Sequence, residues 1–383
     1  MVSSRVSLIS PSASVSINNL AAQLKARGEK VFNLGIGEPD FTTPAPIIEY
    51  SAKSALSGAT HYTPSKGIME LRTRISEKLK RENHVNAPVE NIIVTPTKFS
   101  IYLSMLSILE PGDEVIIPEP YYLSYPDIVR LAGGKPVPLR CNDEYEIDFD
   151  YAEKALTDHT RIFILNSPTN PTGKVYSRET IDRICSFVKD HGLYLLSDEI
   201  YEKIIYQGEH VSPASLPGMA ERTITINGFS KSFAMTGWRI GYMTGPGDII
   251  SAADKLQQQT ITCASSVSQA AAVETFNQEP ESGKMVRRFA ERRKIVLDNL
   301  GGKGLKFRVP EGAFYFFVSP KGVRDAGKFC SDLMQRDHVV LLPGVSFGEN
   351  YANYFRLSYA IDDEDLKEGL SRIIRFAKEY REK

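Results

Sequence analysis

Six short apolar runs in the middle of the chain constrain its fold more than any other feature. They cover residues 92–94, 114–117, 162–165, 194–196, 223–226 and 239–243. The runs lack the alternation of apolar with charged residues that marks a strand with one solvated face, so each is predicted to be a strand buried on both faces. Segments long enough for crossover helices, such as residues 178–189, separate them. This order predicts an α/β fold with an open, mostly parallel sheet.

Two of these runs are followed by polar residues at the end where open α/β sheets bind ligands, beyond the carboxyl ends of the strands. Asn170 follows the run 162–165 and is flanked by two prolines and a glycine, which restrict its backbone and can aim its amide at a ligand. Asp198 follows the run 194–196, where an unpaired carboxylate would be costly, so it needs a cationic partner. Each residue alone also fits an ordinary role, as a turn residue or in a salt bridge.

A third strand end carries a lysine between two serines. Gly228 is expected to end the run 223–226, and Ser230, Lys231 and Ser232 follow it, with Arg239 eight positions after the lysine. A lysine in this position is either a solvated loop charge or an amine whose pKa is lowered by desolvation. The neighbouring hydroxyls and the arginine suit a phosphate together with an amine that forms a Schiff base. Three successive polar strand ends favour a ligand site over three unrelated surface roles.

Three motifs at these strand ends together resemble the pyridoxal-phosphate-dependent class I/II aminotransferases. They are Asn170-Pro171-Thr172-Gly173, Ser197-Asp198-Glu199-Ile200-Tyr201, and the segment from Ser230 through Thr236-Gly237-Trp238-Arg239 to Tyr242. The similarity extends from residues 37–41 to residues 355–360 and is closest to prokaryotic aspartate aminotransferases and their aromatic-accepting relatives. It implies a large cofactor domain of fold type I with a seven-stranded sheet over residues 47–280. A smaller α+β domain would combine residues 1–46 with residues 281–383.

The resemblance also implies a cofactor and the residues that hold it. Pyridoxal 5'-phosphate would be bound to Lys231 as an internal Schiff base, and the released lysine would then move a proton between substrate and cofactor. Asp198 would pair with the pyridine nitrogen and keep it protonated. Tyr201 and Asn170 would hydrogen-bond the phenolic oxygen of the ring, and Arg239 would hold the phosphate.

Further positions follow from the same resemblance. Ser230 would join Arg239 at the phosphate, and Tyr62 would reach that phosphate from the second subunit of a homodimer. Tyr122 would stack on the cofactor ring. Arg356 would clamp the α-carboxylate of the substrate through paired hydrogen bonds, with the Gly37 backbone on the same group. Asn170 and Tyr122 are also expected to contact the substrate.

The segment after residues 92–94 departs from the family pattern. The family usually has a turn of small residues here, whose amides approach the phosphate, whereas this chain has Thr97 and Lys98. Their amides can still bind the phosphate, and Lys98 can add a charge. Many aspartate-specific relatives have a lysine one place further on that meets the distal carboxylate of the substrate, and ungapped alignment puts Phe99 there. The sequence therefore leaves the preferred amino donor open.

The predicted reaction is a ping-pong exchange of an amino group between an L-amino acid and a 2-oxo acid, with 2-oxoglutarate as the expected acceptor. A β-lyase or decarboxylase on the same scaffold is the first alternative. The second is a protein without turnover, either a regulator that binds the cofactor or a nucleotide-binding α/β protein. Against this second alternative, no basic helix-turn-helix-like segment precedes Val31, and no strand is followed by a G-x-x-x-x-G-K-[ST] or G-x-G-x-x-G motif.

Composition argues against several other classes of protein. The chain has 46 Lys and Arg residues against 47 Asp and Glu residues, so its charge gives no case for binding nucleic acid or an anionic membrane surface. The four cysteines, at positions 141, 185, 263 and 330, form no CxxC pair, which argues against a zinc site or a disulfide framework. No apolar run approaches the roughly 18 residues of a membrane span. We therefore expect a cytoplasmic protein with no metal site.

Overall fold

The computed structural model describes residues 2–381. Its helices are α1 Ser4–Ser7, α2 Ala13–Ala26, α3 Ala45–Leu56, α4 Met69–Glu82, α5 Thr97–Ile108, α6 Tyr125–Leu131, α7 Phe149–Ala155, α8 Arg178–Asp190, α9 Gly247–Thr260, α10 Ser266–Thr275, α11 Glu279–Leu300, α12 Ala326–Asp337 and α13 Asp363–Arg381. Its strands are β1 Phe32–Asn33, β2 Ile92–Val94, β3 Glu114–Pro118, β4 Lys135–Leu139, β5 Thr160–Asn166, β6 Tyr194–Asp198, β7 Thr223–Gly228, β8 Gly241–Thr244, β9 Leu305–Phe307, β10 Tyr315–Pro320, β11 Val339–Val340, β12 Leu342–Pro343 and β13 Phe355–Ser358.

A seven-stranded sheet forms the centre of the molecule, in the order β2-β8-β7-β6-β5-β3-β4. Strand β8 runs antiparallel to β2 and β7, and the other neighbouring strands are parallel. The prediction of an open, mostly parallel α/β sheet is confirmed. The pattern of apolar runs missed β4, which contains Pro136 and Pro138. Proline cannot donate a hydrogen bond to a neighbouring strand, and β4 tolerates two prolines because it lies at the edge of the sheet.

Two boundaries around the lysine segment differ from the predictions. Gly228 does not end the strand early, because β7 continues through it and Gly228 pairs with Gly241 of β8. The predicted strand 239–243 begins only at Gly241, since Arg239 has a positive φ of 54°, which is incompatible with an extended strand. The loop between β7 and β8 therefore includes all of residues 229–240.

Both faces of the central sheet are buried, as the apolar runs predicted. Ile164 of β5 and Leu196 of β6 pack in a core shared with helices α5, α6 and α9. Their neighbours in sequence, Phe163 and Leu195, point to the opposite face and pack against α8. Burial of both faces removes the apolar side chains of each strand from water. This burial stabilises the fold by about 25 cal/mol for each Å² of apolar surface. The loops at the carboxyl ends of the strands therefore begin from a sheet that is packed on both faces.

Two smaller sheets lie outside the central one. The first is antiparallel, in the order β12-β13-β10-β9, and the second pairs β1 with β11 in parallel, with Phe32 opposite Val339. Helix α13 buries Leu366 and Leu370 in the same core as Phe32. We propose that the first 46 residues and those after 280 form one domain, and residues 47–280 the other. The shared core, which also includes Ile200, Tyr201 and Ile204 of the other domain, supports the association of the two ends of the chain.

The state of the cysteines and the character of the helices are the two features that bear on the expectations from composition. All four cysteines are free thiols, and Cys141, Cys185 and Cys330 are buried. None of the helices in the described part of the chain combines the length and apolar character that a membrane crossing requires.

Candidate active site

A cavity of about 320 Å³ opens at the carboxyl ends of the central strands. Its walls come from helix α2, the segment after β1, the start of α5, the loops after β3, β5, β6 and β7, and strands β10 and β13. All predicted site residues except Tyr62 line it, namely Gly37, Thr97, Lys98, Tyr122, Asn170, Asp198, Tyr201, Ser230, Lys231, Arg239 and Arg356. Tyr62 lies on the outer surface with 87% of its area exposed. Residues from both ends of the chain thus meet at one site.

Lys231 projects into this cavity from the loop after β7. Its Nζ donates a hydrogen bond to the backbone oxygen of Gly37 at 2.6 Å. Burial lowers the pKa of Lys231 to about 8; Glu38 opposes this fall, and the positive charges of Arg356 and Arg239 add to it. An amine with such a pKa is uncharged in a substantial fraction of molecules near neutral pH, so Lys231 can act as a nucleophile and as a proton acceptor.

Asp198, at the end of β6, is buried. Its Oδ2 accepts a hydrogen bond from the hydroxyl of Tyr125 at 2.7 Å, and its Oδ1 accepts one from the Ile200 amide at 3.4 Å. Burial raises the pKa of Asp198 to about 6, and the hydrogen bond from Tyr125 limits the rise. The hydrogen bonds that the described residues give Asp198 thus come from a phenol and an amide. The charge of Lys231 also lowers the pKa of Asp198, but no described residue forms an ion pair with this carboxylate, so a cationic group of a ligand suits the position.

Tyr201 and Tyr315 form a pair of phenols in the cavity. Their hydroxyl oxygens lie 2.8 Å apart. Burial raises the pKa of Tyr201 well above its usual range, so its phenol stays protonated and can donate a hydrogen bond. The sequence analysis did not single out Tyr315, although the aromatic residues around it indicate a strand.

Arg356, in β13, is a buried guanidinium with 2% of its area exposed. Its Nη1 donates to Oδ1 of Asn170 at 2.9 Å and its Nη2 donates to the Gly35 oxygen at 2.7 Å. The rings of Tyr315 and Phe347 lie 4.3 Å and 5.2 Å from it. Within residues 2–381 the Nε atom of Arg356 has no hydrogen-bond partner. A buried donor without a partner is costly and suits an anionic ligand.

The start of helix α5 forms another part of the cavity wall. The helix begins at Thr97, after a Pro96 N-cap that provides no side-chain hydrogen bond. A helix N-terminus with open amides attracts phosphate. The family has a small residue at the position of Thr97. The side chain of Thr97 is accommodated here because Gly228 and Gly241, which lie against it, have no side chains. A Cβ on Gly228 would lie only 2.7 Å from the Thr97 hydroxyl, too close for an ordinary contact. That buried hydroxyl has no partner among the described residues.

Basic side chains stand beside this helix start. The Nζ of Lys98 lies 5.6 Å from the centre of the Tyr122 ring. Arg239 is exposed, and its Nη1 donates to the Thr236 oxygen at 2.9 Å. Ser230 is buried and lines the same cavity. The combination of two cations, a hydroxyl and a helix N-terminus suits a phosphate group.

Several lining residues were missed by the sequence analysis. Asn18 of α2, Glu38 and Thr236 line the cavity, as does Ser14, which the sequence places in a segment expected to cover the entrance. Glu38 is the direct neighbour of Gly37, and Thr236 lies in the motif that carried the resemblance, so adjacency was a usable signal for both. Tyr125 comes three positions after Tyr122 in a tyrosine-rich segment, but its contact with Asp198 depends on tertiary packing.

A buried charged cluster supports the loop after β6 from behind. Glu202 pairs with Lys78 and accepts a hydrogen bond from Asn83 at 2.7 Å. Burial alone would raise the pKa of Glu202, but Lys78 and His210 lower it to about 2. Glu199 accepts hydrogen bonds from Ser197 and Ser212, and His210 lies 2.9 Å from it. Lys78 supplies the countercharge here, so the cluster holds the segment next to Asp198 through internal pairs.

The residues present fit pyridoxal phosphate. Asp198 is a buried carboxylate that forms no ion pair with any described residue, which suits a protonated ring nitrogen. Lys231 is an amine with a lowered pKa. Four basic residues line the cavity, at positions 98, 231, 239 and 356, against two carboxylates, at positions 38 and 198. This excess of positive charge suits a phosphate and a substrate carboxylate.

The fold and this set of residues are those of a pyridoxal-phosphate-dependent enzyme. The family model for aminotransferase class I and II matches residues 29–373, so the chain belongs to that family. It is 42% identical to the bifunctional aspartate aminotransferase and glutamate/aspartate-prephenate aminotransferase of Petunia hybrida, over 97% of this chain and 82% of that protein. It is 39% identical to aromatic-amino-acid aminotransferase 2 of Thermococcus litoralis, over 99% and 98% of the two chains.

Solved structures agree with these sequence similarities. Thermus thermophilus aspartate aminotransferase with maleate matches with a TM-score of 0.94 and 37% identity, over 98% of this chain and 99% of that chain. The predicted family, the predicted cofactor and the predicted class of reaction are confirmed: the chain is a pyridoxal-phosphate-dependent transaminase.

Proposed function

We propose that this transaminase exchanges the amino group of an L-amino acid with 2-oxoglutarate through the residues that line the cavity. One observation supports the proposal most strongly: an amine with a lowered pKa, a buried carboxylate and a buried arginine line a single cavity. When bound, the cofactor supplies a reactive carbonyl carbon and a ring that withdraws electrons. Lys231 holds this cofactor, and its freed amine then moves a proton from the substrate Cα.

Asp198 and Tyr201 control the charge on the ring. The Asp198 carboxylate, oriented by Tyr125, stabilises a positive ring nitrogen because the pair of opposite charges is buried. The phenol of Tyr201, held by Tyr315, donates a hydrogen bond to a ring oxygen. Ser230, Arg239 and the start of α5 bind the phosphate.

Arg356 binds the α-carboxylate of the substrate. Its guanidinium lies close to the rings of Tyr315 and Phe347 and is fixed by hydrogen bonds to Asn170 and to the Gly35 oxygen, so little conformational freedom is lost on binding. The amide of Asn170 keeps two donor hydrogens on its nitrogen, which suit the ring oxygen and the substrate. Arg356 and Lys231 line the same cavity, which supports a binding mode in which the substrate Cα faces the Lys231 amine.

Amino transfer gives a direct test. Purified protein loaded with pyridoxal phosphate is expected to convert an amino donor and 2-oxoglutarate into glutamate and the matching 2-oxo acid in a 1:1 ratio. Chromatography of the products measures this ratio. A β-lyase would release ammonia and a decarboxylase carbon dioxide, so either product in place of glutamate would contradict the proposal.

Lys98 supports the phosphate rather than a substrate side chain in this proposal, because it lies beside Tyr122 in the first turn of α5. A Lys98→Met variant keeps the length of the side chain and loses its charge. We expect kcat/KM to fall by a similar factor, roughly tenfold, for aspartate, alanine, phenylalanine, tyrosine and kynurenine. Lys255→Met, which removes an exposed lysine of α9, serves as the control. A fall in kcat/KM for aspartate alone would instead indicate that Lys98 binds the distal carboxylate of that substrate.

We further propose that two copies of the chain share their active sites, with Tyr62 binding the phosphate in the partner subunit. The 87% exposure of Tyr62 supports a role outside its own chain. Tyr62→Ala is expected to weaken cofactor binding about tenfold, the effect of one hydrogen bond to a charged group. Mixed dimers of Tyr62→Ala and Lys231→Ala chains are then expected to regain one intact site per dimer. No recovery of cofactor affinity on mixing would contradict the shared site.

The free cysteines and balanced charge support a cytoplasmic enzyme that acts on small molecules. We propose this location, and cell fractionation tests it.

A further inference from the structure

Glu38 is a carboxylate in the cavity to which the proposed function gives no role. Two carboxylates, Glu38 and Asp198, line the cavity within residues 2–381, and Asp198 is assigned to the ring nitrogen. Glu38 is half-buried and directly follows Gly37, whose oxygen accepts the hydrogen bond from Lys231. A negative charge in such a position affects every nearby cation.

The side chain of Glu38 is held against the loop that carries the lysine. Its Oε2 accepts a hydrogen bond from the hydroxyl of Thr236 at 2.6 Å. The backbone oxygen of Thr236 in turn accepts a hydrogen bond from Arg239 at 2.9 Å. Glu38 is therefore fixed against the loop that provides Lys231 and the arginine of the phosphate site.

The backbone that carries Glu38 is anchored on the other side as well. Two positions further on, the carboxylate of Asp40 accepts paired hydrogen bonds from Arg292 of α11 at 2.6 and 2.8 Å. Arg292 is 4% exposed and also donates to Asp363 of α13 at 3.1 Å. Segment 37–40 is thus held by the lysine loop at one end and by helices at the other, which limits the positions that the Glu38 carboxylate can occupy.

The charge of Glu38 favours a proton on the Lys231 nitrogen. It raises the pKa of Lys231, opposing burial and the charges of Arg356 and Arg239. The titratable and charged groups that line the cavity together with this nitrogen are Glu38, Lys98, Tyr122, Asp198, Tyr201, Arg239, Tyr315 and Arg356, and the charges of Glu38, Arg356, Arg239 and Asp198 act on its pKa. Of these, Asp198 pairs with the ring nitrogen in the proposed function, which leaves Glu38 as the carboxylate that acts on the lysine.

We propose that Glu38 is a positioning residue whose carboxylate, fixed by Thr236, keeps a proton on the Lys231 nitrogen while that nitrogen is joined to the cofactor. The proton draws electrons from the adjoining carbon, so that carbon is attacked more readily by the amine of the incoming substrate. The inference rests on the proposed role of Lys231 as the residue that holds the cofactor.

Absorbance titration of the loaded protein tests the inference. The visible absorption of pyridoxal phosphate bound to a lysine changes when the linking nitrogen loses its proton. In Glu38→Gln the amide oxygen can still accept from Thr236 but the charge is gone, so we expect the midpoint pH to fall by about one pH unit. Thr236→Val keeps the charge and removes the hydrogen bond, and we expect less than half of that change. Glu49→Gln, which removes an exposed carboxylate of α3, should leave the midpoint unchanged.

The same variants distinguish a failure of the Lys231 assignment from a failure of the Glu38 assignment. If the wild type gains no visible absorption with pyridoxal phosphate, the assignment of Lys231 itself is wrong. If the wild type titrates and Glu38→Gln has the same midpoint, or a higher one, the role of Glu38 is overturned. If Thr236→Val lowers the midpoint and Glu38→Gln does not, the hydrogen bond between the two segments matters and the charge of Glu38 does not, which would also overturn it. The pH profile of kcat/KM should shift in Glu38→Gln in the same direction as the absorbance midpoint.

Discussion

Replacing Lys231 by alanine is expected to reduce the rate of amino transfer by at least about ten-thousandfold, since the variant loses both the covalent hold on the cofactor and the group that carries the proton. Lys231 donates to the Gly37 oxygen and burial lowers its pKa to about 8, so its amine combines a fixed position with a fraction that is uncharged near neutral pH. Single-turnover kinetics on Lys231→Ala, measured with saturating cofactor, gives this loss.

Two controls separate the roles of the lysine. Lys231→Arg keeps a positive charge, but a guanidinium does not lose its proton in proteins, so we expect a loss of the same order. Addition of a small primary amine to Lys231→Ala is expected to restore part of the rate, because the added amine can carry the proton. A Lys231→Ala variant with more than about a tenth of the wild-type rate would contradict the assignment, judged against the usual cost of losing such a group.

Replacing Asp198 by asparagine is expected to lower kcat by about a hundredfold to a thousandfold. The buried carboxylate stabilises the positive ring nitrogen, and an amide of the same shape cannot provide that charge. Asp198→Glu keeps the charge with a longer side chain and is expected to lose less activity. Stopped-flow kinetics with a single amino donor measures the step that depends on this charge. Activity of Asp198→Asn within tenfold of wild type would contradict the role.

The pKa of Asp198 adds a pH dependence to this result. Burial raises that pKa to about 6 in the cofactor-free protein, so the carboxylate is charged above about pH 6 and neutral below it. Cofactor binding is therefore expected to weaken as the pH falls below 6. Tyr125→Phe removes the hydrogen bond that opposes the rise in this pKa, so the weakening should begin at a higher pH. Fluorescence titration at several pH values measures the affinity.

Much of the fold could be predicted because the relevant signals are local in sequence. The apolar runs at residues 162–165 and 194–196 indicate doubly buried strands wherever they occur. The edge strand β4 escaped because Pro136 and Pro138 argue against a strand, and only the position of β4 in the sheet shows why they are tolerated. Gly228 was misread for a similar reason, since its pairing partner Gly241 is not evident from local sequence.

The residues of the candidate site likewise fall into those that local sequence could identify and those that it could not. Residues that follow strand ends, such as Asp198 and Lys231, could be found because the carboxyl ends of parallel strands meet at one edge of a sheet. Tyr125 and Tyr315 could not, because their hydrogen bonds to Asp198 and Tyr201 join distant elements. Glu38 stood beside a predicted residue, yet its hydrogen bond to Thr236 links positions 198 apart in the chain.

The sequence by itself determined the class of fold, the family and the lysine at the centre of the site. These follow from the short-range pattern of apolar residues and from motifs contained within single loops. Only the tertiary structure decided which groups surround Lys231, how far its pKa falls and which carboxylate faces it. Burial and charge act through space, so their effect on a residue depends on neighbours that the folded chain brings together from far apart.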